Sequence, residues 1–437
     1  MSNYTIASLA AAYRNGSADP VSVTEQYLAR IEQHGGAVYR TTNPDRALTQ
    51  ARAAQELFRA GVDFGPLQGV PIAVKDNLDT VGDITAAGSR VLLEEGQPAT
   101  ADSAAVANVV HRGAVVLGKT NMTELAFSGI GMNPHFGTPG SAADSTRIPG
   151  GSSAGSGVAV GANLAVAAFG TDTGGSVRIP AACNHVVGHK ITDGTVSNAG
   201  GVALSPTLDT VGPITKTVAD AWTLYQAMAG VPHEPLGALK QRLTFVVPDN
   251  VVFDAIDEDV RKAFVVAVDN LKALGHAVEY AEVPVLSKIH PAMQQYGSFA
   301  AHEIFTLRER EFAERASDID PRVAERAAAA AARPARDYLK LIYSRDAFIE
   351  QFWPTLPGVD AILAPTIPII PPKITDLAAD EAYHAANGAI LRNTTLFNVL
   401  KSPATAVPLS VPMTSMMVVT RPGFDRLALQ AAQLFER

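Results

Sequence analysis

The sequence carries GGSSAGSG at residues 150–157 and GTDTGGSVR at residues 170–178. Glycine loops cost conformational entropy, so two serine-bearing clusters this close together call for a reason in the chemistry. Between them the apolar run LAVAAF at residues 164–169 leads straight into the second cluster. Upstream, VPIAV at residues 70–74 is a short apolar run ending at Lys75, typical of a buried strand that delivers a polar residue to a sheet edge. Residues 104–110 read as helix and 114–117 as the next strand. Asp19 and Pro20 read as N-cap and first helical residue, with Val23, Tyr27, Leu28 and Ile31 on one face. Residues 243–247 predict a strand, and Asp257 a cap for a helix striped by Val260, Ala263, Phe264, Ala267, Val268 and Leu271 and closed by Gly275. A last strand, 361–364, runs out into Pro365, Pro368, Pro371 and Pro372. Strand-helix-strand alternation of this kind predicts an α/β fold: one large domain, residues 1–437, whose mixed, mostly parallel β-sheet is covered by helices on both faces. Residues 287–350 predict a mostly helical cap or insertion, in which the six alanines at 327–332 are helix and not linker.

Composition narrows the class. Of 437 residues, 47% are apolar and 18% charged, enough for a large core and too few charges for disorder. The formal charge of −8 argues against a nucleic-acid or anionic-membrane partner. Cys183 is the single cysteine, so no internal disulfide forms and a reducing compartment suits the chain. No basic patch precedes an apolar leader, and Arg14 interrupts the one candidate. The blandest stretch, residues 158–170, is too short to cross a bilayer. A cytoplasmic enzyme is the expectation.

Four chemistries compete for the serine–glycine clusters. Gly155, Gly157 and Gly161 faintly match a dinucleotide fingerprint, but residues 141–149 supply no strand and no Gly-Lys-Ser/Thr follows. Gly151, Ser153 and Gly155 satisfy a nucleophile elbow, with Ser153 attacking, though again no strand leads in. Cys183, His185 and His189 have ligand chemistry, without a glutamate between the histidines or an obvious oxygen ligand. The fourth chemistry is serine hydrolysis with a lysine base.

For that fourth reading the spaced motifs are specific. GGSSAGS at 150–156, Ser176 inside GTDTGGSVRIPAA at 170–182, and VPIAVKDN at 70–77 together resemble the amidase signature family. GKTN at 118–121, NPHFG at 133–137, LDTVGP at 208–213, residues 360–365, and Phe397, Asn398 and Pro403 fit as well. The similarity is strong over residues 5–220, weak over 235–350 and moderate to about 408.

The resemblance implies a Ser–Ser–Lys amidohydrolase. Ser176 would attack, Ser152 would relay the proton and Lys75 would be the base. The backbone N–H groups of Thr173, Gly174, Gly175 and Ser176 would form an oxyanion hole, and side chains at 174 or 175 would crowd the incoming carbonyl. A lysine serves as base only when neutral, which burial favours. Asp76 would oppose this if it faced the amine. In the family the relay serine follows a cis peptide, and Gly151 before Ser152 removes a Cβ clash there. Ser153, Asp172 and Arg178 are expected to support the loops, or else to be ordinary loop caps and ion pairs. Lys119 and Lys190 are expected to be solvated or structural.

Ala126, Phe127 and Ser128 would line the acyl side of the pocket. Tyr296, Phe299, Tyr338, Tyr343 and Trp353 are candidate pocket aromatics or helical core. The chain departs from the family at Ser141–Ala143, at His189 and Ile191, and at 411–420, where a Met-rich piece replaces a Gly-rich segment. The last of these and 287–350 are expected to form the pocket wall. The resemblance implies no cofactor and no metal, and a small-molecule amide as substrate. Two alternatives stay open: a carbamate or urea-type (allophanate-like) substrate, and an ammonia-releasing component of a tRNA-dependent amidotransferase. Also open are a homodimer and a small accessory subunit.

Overall fold

The apolar runs at 70–74, 114–117, 164–169, 243–247 and 361–364 all contribute strands to one sheet. The computed structural model describes residues 3–239 and 241–436. Its strands are β1 (Tyr39–Thr42), β2 (Pro71–Lys75), β3 (Val115–Thr120), β4 (Ala167–Asp172), β5 (Val187–Lys190), β6 (Thr210–Thr215), β7 (Thr244–Pro248), β8 (Ala277–Ala281), β9 (Ala361–Pro365), β10 (Ala404–Pro408) and β11 (Ser415–Val419). They lie in the order β1-β3-β2-β4-β6-β5-β10-β11-β9-β7-β8.

The mixed sheet of the sequence reading is present, and its parallel character is confined to two flanks. β3-β2-β4 is parallel on one side and β9-β7-β8 on the other. The six remaining pairs, the central run from β4 to β9 and the outer β1-β3 pair, are antiparallel. The connections explain the difference. Helix Ala104–Val110 carries the chain from β2 to β3, and helix Glu258–Ala273 from β7 to β8, as parallel crossovers require. β10 and β11 are joined by a six-residue turn that reverses the chain.

Both faces of the sheet are buried. Phe245, Val247, Leu363, Met416 and Val418 pack with Ala263, Phe264, Val268 and Leu271 of helix Glu258–Ala273. Their alternates Val246, Ile362, Ala364, Met417 and Val419 pack with Leu286, Ile289, Leu341, Phe352, Leu396 and Phe397 on the other face. Period-two alternation within single strands thus feeds two cores. The Met-rich piece expected at the pocket wall is strand β11 inside the sheet. Its place is a correction to that expectation, and follows from Met416 and Met417 being fully buried. Asp257 stands at the N-cap position of its helix, but its carboxylate accepts from Ile370 N at 2.7 Å and makes no capping bond.

Between Leu286 and Phe352 the described residues form helices Leu286–Tyr296, Phe299–Leu307, Glu309–Glu314, Pro321–Ala331 and Ala335–Phe352. What matters for function is the common edge of β2 and β4. Ala73 stands opposite Ala168, so Lys75 at the end of β2 comes level with the start of the second glycine cluster.

Candidate active site

Lys75 is fully buried at the end of β2. Its Nζ lies 2.8 Å from Ser152 Oγ and 2.7 Å from Thr171 Oγ1, with the Thr171 carbonyl at 3.5 Å. Burial lowers the amine to about 7, against the carboxylates of Asp209 and Asp172, which pull it upward. Asp76 does not face this amine. It points to the other side of the strand, 2.6 Å from Arg40 Nε and 3.8 Å from Lys119 Nζ. Strand alternation separates the two side chains.

Ser152 follows a cis peptide bond from Gly151. The loop 128–131 presses on this turn: Gly151 N donates to Gly129 O at 2.7 Å, and a Cβ on Gly151 would come within 2.6 Å of Gly131 N. Ser153, just before helix Ala154–Gly161, has its hydroxyl against Thr171 O at 3.3 Å and receives Thr171 N at 3.3 Å. That hydroxyl ties two loops together, whereas Ser176 borders the cavity described below. The two serine loops touch directly, Ser153 N donating to Ser176 O at 3.3 Å.

Asp172, at the end of β4, organises the second cluster. It accepts from Gly175 N at 2.8 Å, from Val177 N at 3.1 Å and from Asn398 Nδ2 at 2.8 Å. Arg178 Nε and Nη2 reach its two oxygens at 3.0 and 2.9 Å, a bidentate pair with both side chains fully buried. Burial alone would raise this carboxyl, but Arg178 outweighs it and holds the group well below the usual carboxylate range. Arg178 also donates to Asn398 Oδ1 at 2.6 Å and Thr394 O at 3.1 Å.

One expectation is corrected here. Gly175 N–H is spent on Asp172 and is not turned toward an incoming oxyanion. Thr173, Gly174 and Ser176 keep backbone N–H groups with no partner among the described residues. The glycine requirement at 175 also has its own cause. Its φ is +133°, and a Cβ there would lie 2.2 Å from Thr394 Oγ1, so the helix Asp380–Val399 is what excludes a side chain.

The family model "Amidase" matches residues 22–429.

The chain belongs to the amidase family.

It is 34% identical to the 2-amino-5-chloromuconic acid deaminase of Comamonas testosteroni, over 91% of this chain and 86% of that one. It is 44% identical to a glutamyl-tRNA(Gln) amidotransferase component of Streptomyces coelicolor over 53% of this chain, and so spans about half of that relative's length. A solved amidase structure superposes with a TM-score of 0.89 at 30% identity, covering 99% of each chain.

In this amidase a small cavity of about 90 Å³ opens at Ser176. Ala126, Phe127, Ser128, Thr173 and Gly174 line it together with Phe299, Arg326 and Leu391. Ser128 is held by Tyr383, whose hydroxyl donates at 2.7 Å, and by Asn387 Oδ1, which accepts at 3.0 Å. Among the five candidate aromatics only Phe299 borders the cavity. Tyr338 bonds Glu303, Trp353 packs in the core, and Tyr343 is exposed.

Several residues of the site went unread in the sequence. Thr171 sits inside the quoted motif but had no assigned role, and Asp209 lies in the LDTVGP match. Asp209 accepts from Thr173 Oγ1 and from the amides of Leu204 and Ser205 at 2.9 and 3.0 Å, and burial raises it to about 6. Arg326 and Asn387 lie in segments with no motif. Lys119 and Lys190 are structural and wholly buried. Lys119 binds Leu78 O and Thr85, and Lys190 binds Ile191 O and Asp193. Of the metal candidates, His189 sets Nδ1 against Thr405 and Nε2 against Asp425, at 2.9 and 3.2 Å. No helix among the described residues is long and apolar enough to cross a membrane.

Proposed function

We propose that this amidase cleaves a carbon–nitrogen bond of a small-molecule amide through a covalent Ser176 acyl-enzyme, with Ser152 as proton relay and Lys75 as base. The observation that carries this reading is the 2.8 Å approach of the buried Lys75 amine to Ser152 Oγ, beside a cavity bordered by Ser176. A neutral amine has two N–H groups and one lone pair. Thr171 Oγ1 and O take the N–H groups, which leaves the lone pair for the Ser152 hydroxyl.

Ser176 Oγ attacks the carbonyl carbon as its proton passes through Ser152 to Lys75. The backbone N–H groups of Thr173, Gly174 and Ser176 receive the negative oxygen. The C–N bond breaks as the proton returns by the same route to the leaving nitrogen. Water then attacks the ester, regenerating Ser176 and releasing the acid. Asp172, Arg178 and Ser153 hold the loops and touch no reacting atom. Helices within residues 287–350 act as a cap that bounds the acyl pocket. The buried thiol of Cys183 suits a reducing, cytoplasmic setting.

The test is labelling with a fluorophosphonate, mapped by mass spectrometry. An adduct on Ser176 that is lost in Lys75→Ala supports the reading. An adduct on Ser153 sinks it. The similarity to an amidotransferase component supports a second reading, ammonia release within a complex, which purified protein alone would then perform poorly. Scoring ammonia against carbon dioxide separates an amide from a carbamate or urea-type substrate.

A further inference from the structure

Among the described residues, Arg326 is the one charged side chain lining the cavity at Ser176. It projects from helix Pro321–Ala331, and its guanidinium lies 4.1 Å from the centre of the Phe127 ring. Of its five N–H donors, only Nη1 has a protein partner among the described residues, the Phe127 carbonyl. No carboxylate among those residues pairs with it, in contrast to two buried arginines near the site: Arg178 has Asp172, and Arg345 has Asp193. The rest of the lining is apolar or neutral, with Leu204, Leu208, Met293 and Phe299 opposite the serine loops. Arg326 is half-buried, and a guanidinium stays protonated in proteins, so a positive charge without a carboxylate partner borders the cavity. A charge partly removed from water gains from a partner of opposite sign. Its planar fork is shaped for a carboxylate.

We propose that Arg326 binds a carboxylate on the acyl part of the substrate, so that the amidase acts on monoamides of short dicarboxylic acids. The proposal rests on Ser176 being the acylated residue, since the acyl chain must run from Ser176 to Arg326 within one small cavity. The overall change is hydrolysis: amide plus water gives the dicarboxylate and ammonium, with no other reactant. Arg326 positions the acyl chain and takes no proton.

The experiment compares succinamate, glutaramate and adipamate with the neutral diamides of equal length, in wild type, Arg326→Lys and Arg326→Met. In wild type, kcat/KM for one charged amide should exceed that of its neutral partner by on the order of tenfold to a hundredfold. Arg326→Met should erase that ratio mainly through KM, and Arg326→Lys should keep part of it. Equal rates for both members of every pair in wild type would overturn the proposal, as would a ratio unchanged in Arg326→Met. The underlying reading has its own readout in the fluorophosphonate adduct on Ser176. If that adduct and all turnover were missing, the acyl-enzyme reading would fail. Glutarate binding by calorimetry would still decide the role of Arg326: heat present in wild type and lost in Arg326→Met supports it, and no binding in wild type refutes it.

Discussion

Lys75 Nζ lies 2.7 Å from Thr171 Oγ1, and the same oxygen accepts from Asn77 Nδ2 at 3.1 Å. The threonine hydroxyl therefore has a fixed position and turns an N–H of Lys75 away from Ser152. Thr171→Val keeps the volume and removes that acceptor. We predict a fall in kcat of roughly tenfold to a hundredfold, the equivalent of one hydrogen bond to the ammonium that forms as Lys75 takes up the proton. KM should change little, and the urea midpoint should stay within the range of a mild core substitution.

The pH profile follows from the lysine. Because the base works only when neutral, kcat/KM should rise with pH and level off above about 7, where burial places the amine. The carboxylate of Asp209 pulls that value upward. Removing its charge in Asp209→Asn favours the neutral amine, so the acid limb should move to lower pH. A limb that moves to higher pH, or stays where it was, would contradict the assignment of Lys75 as base.

Arg178→Met leaves the Asp172 carboxylate buried without its cation. The expected loss is about 3–5 kcal/mol in denaturant unfolding, as for other broken buried pairs. The sign with pH follows from the direction of the shift. Asp172 is held below its ordinary value, so its contribution is present above the unfolded carboxylate value and is lost as pH falls through the folded one. The gap between wild type and variant should therefore narrow in acid.

Gly175→Ala places a Cβ at 2.2 Å from Thr394 Oγ1, on backbone with φ +133°. Backbone of that kind costs about 1–3 kcal/mol for a residue with a side chain, before the clash is counted. Lower stability and slower labelling of Ser176 are expected together. Gly174→Ala meets its nearest atom only at 3.3 Å, Thr395 Oγ1, and should fold nearly as well as wild type. If the two variants unfold at the same denaturant concentration, the helix Asp380–Val399 is not what demands glycine at 175.

Lys75, Ser152 and Ser176, the residues proposed for the chemistry, stand out in the sequence because local pattern marks them: an apolar run ending in a lysine, and two glycine loops with serines at fixed spacing. The same patterns located most strands and helices, since a buried strand or an amphipathic helix is written within a window of a few residues. The 411–420 segment was misplaced because a short Met-rich run has no period of its own. Its burial comes from β9 and β10, which pair with it from either side.

What the residues determine by themselves is therefore the class of chemistry and the elements that deliver it. Tertiary structure decided the rest: that Asp76 turns to Arg40 and away from the amine, that Gly175 N–H serves Asp172, and that Arg326 enters the pocket with no carboxylate beside it among the described residues. Each of these depends on side chains far apart in the chain, on opposite sides of one strand, or on the exact curl of a loop. Local spacing cannot encode such contacts, because they exist only once sheet register and helix packing have set the distances.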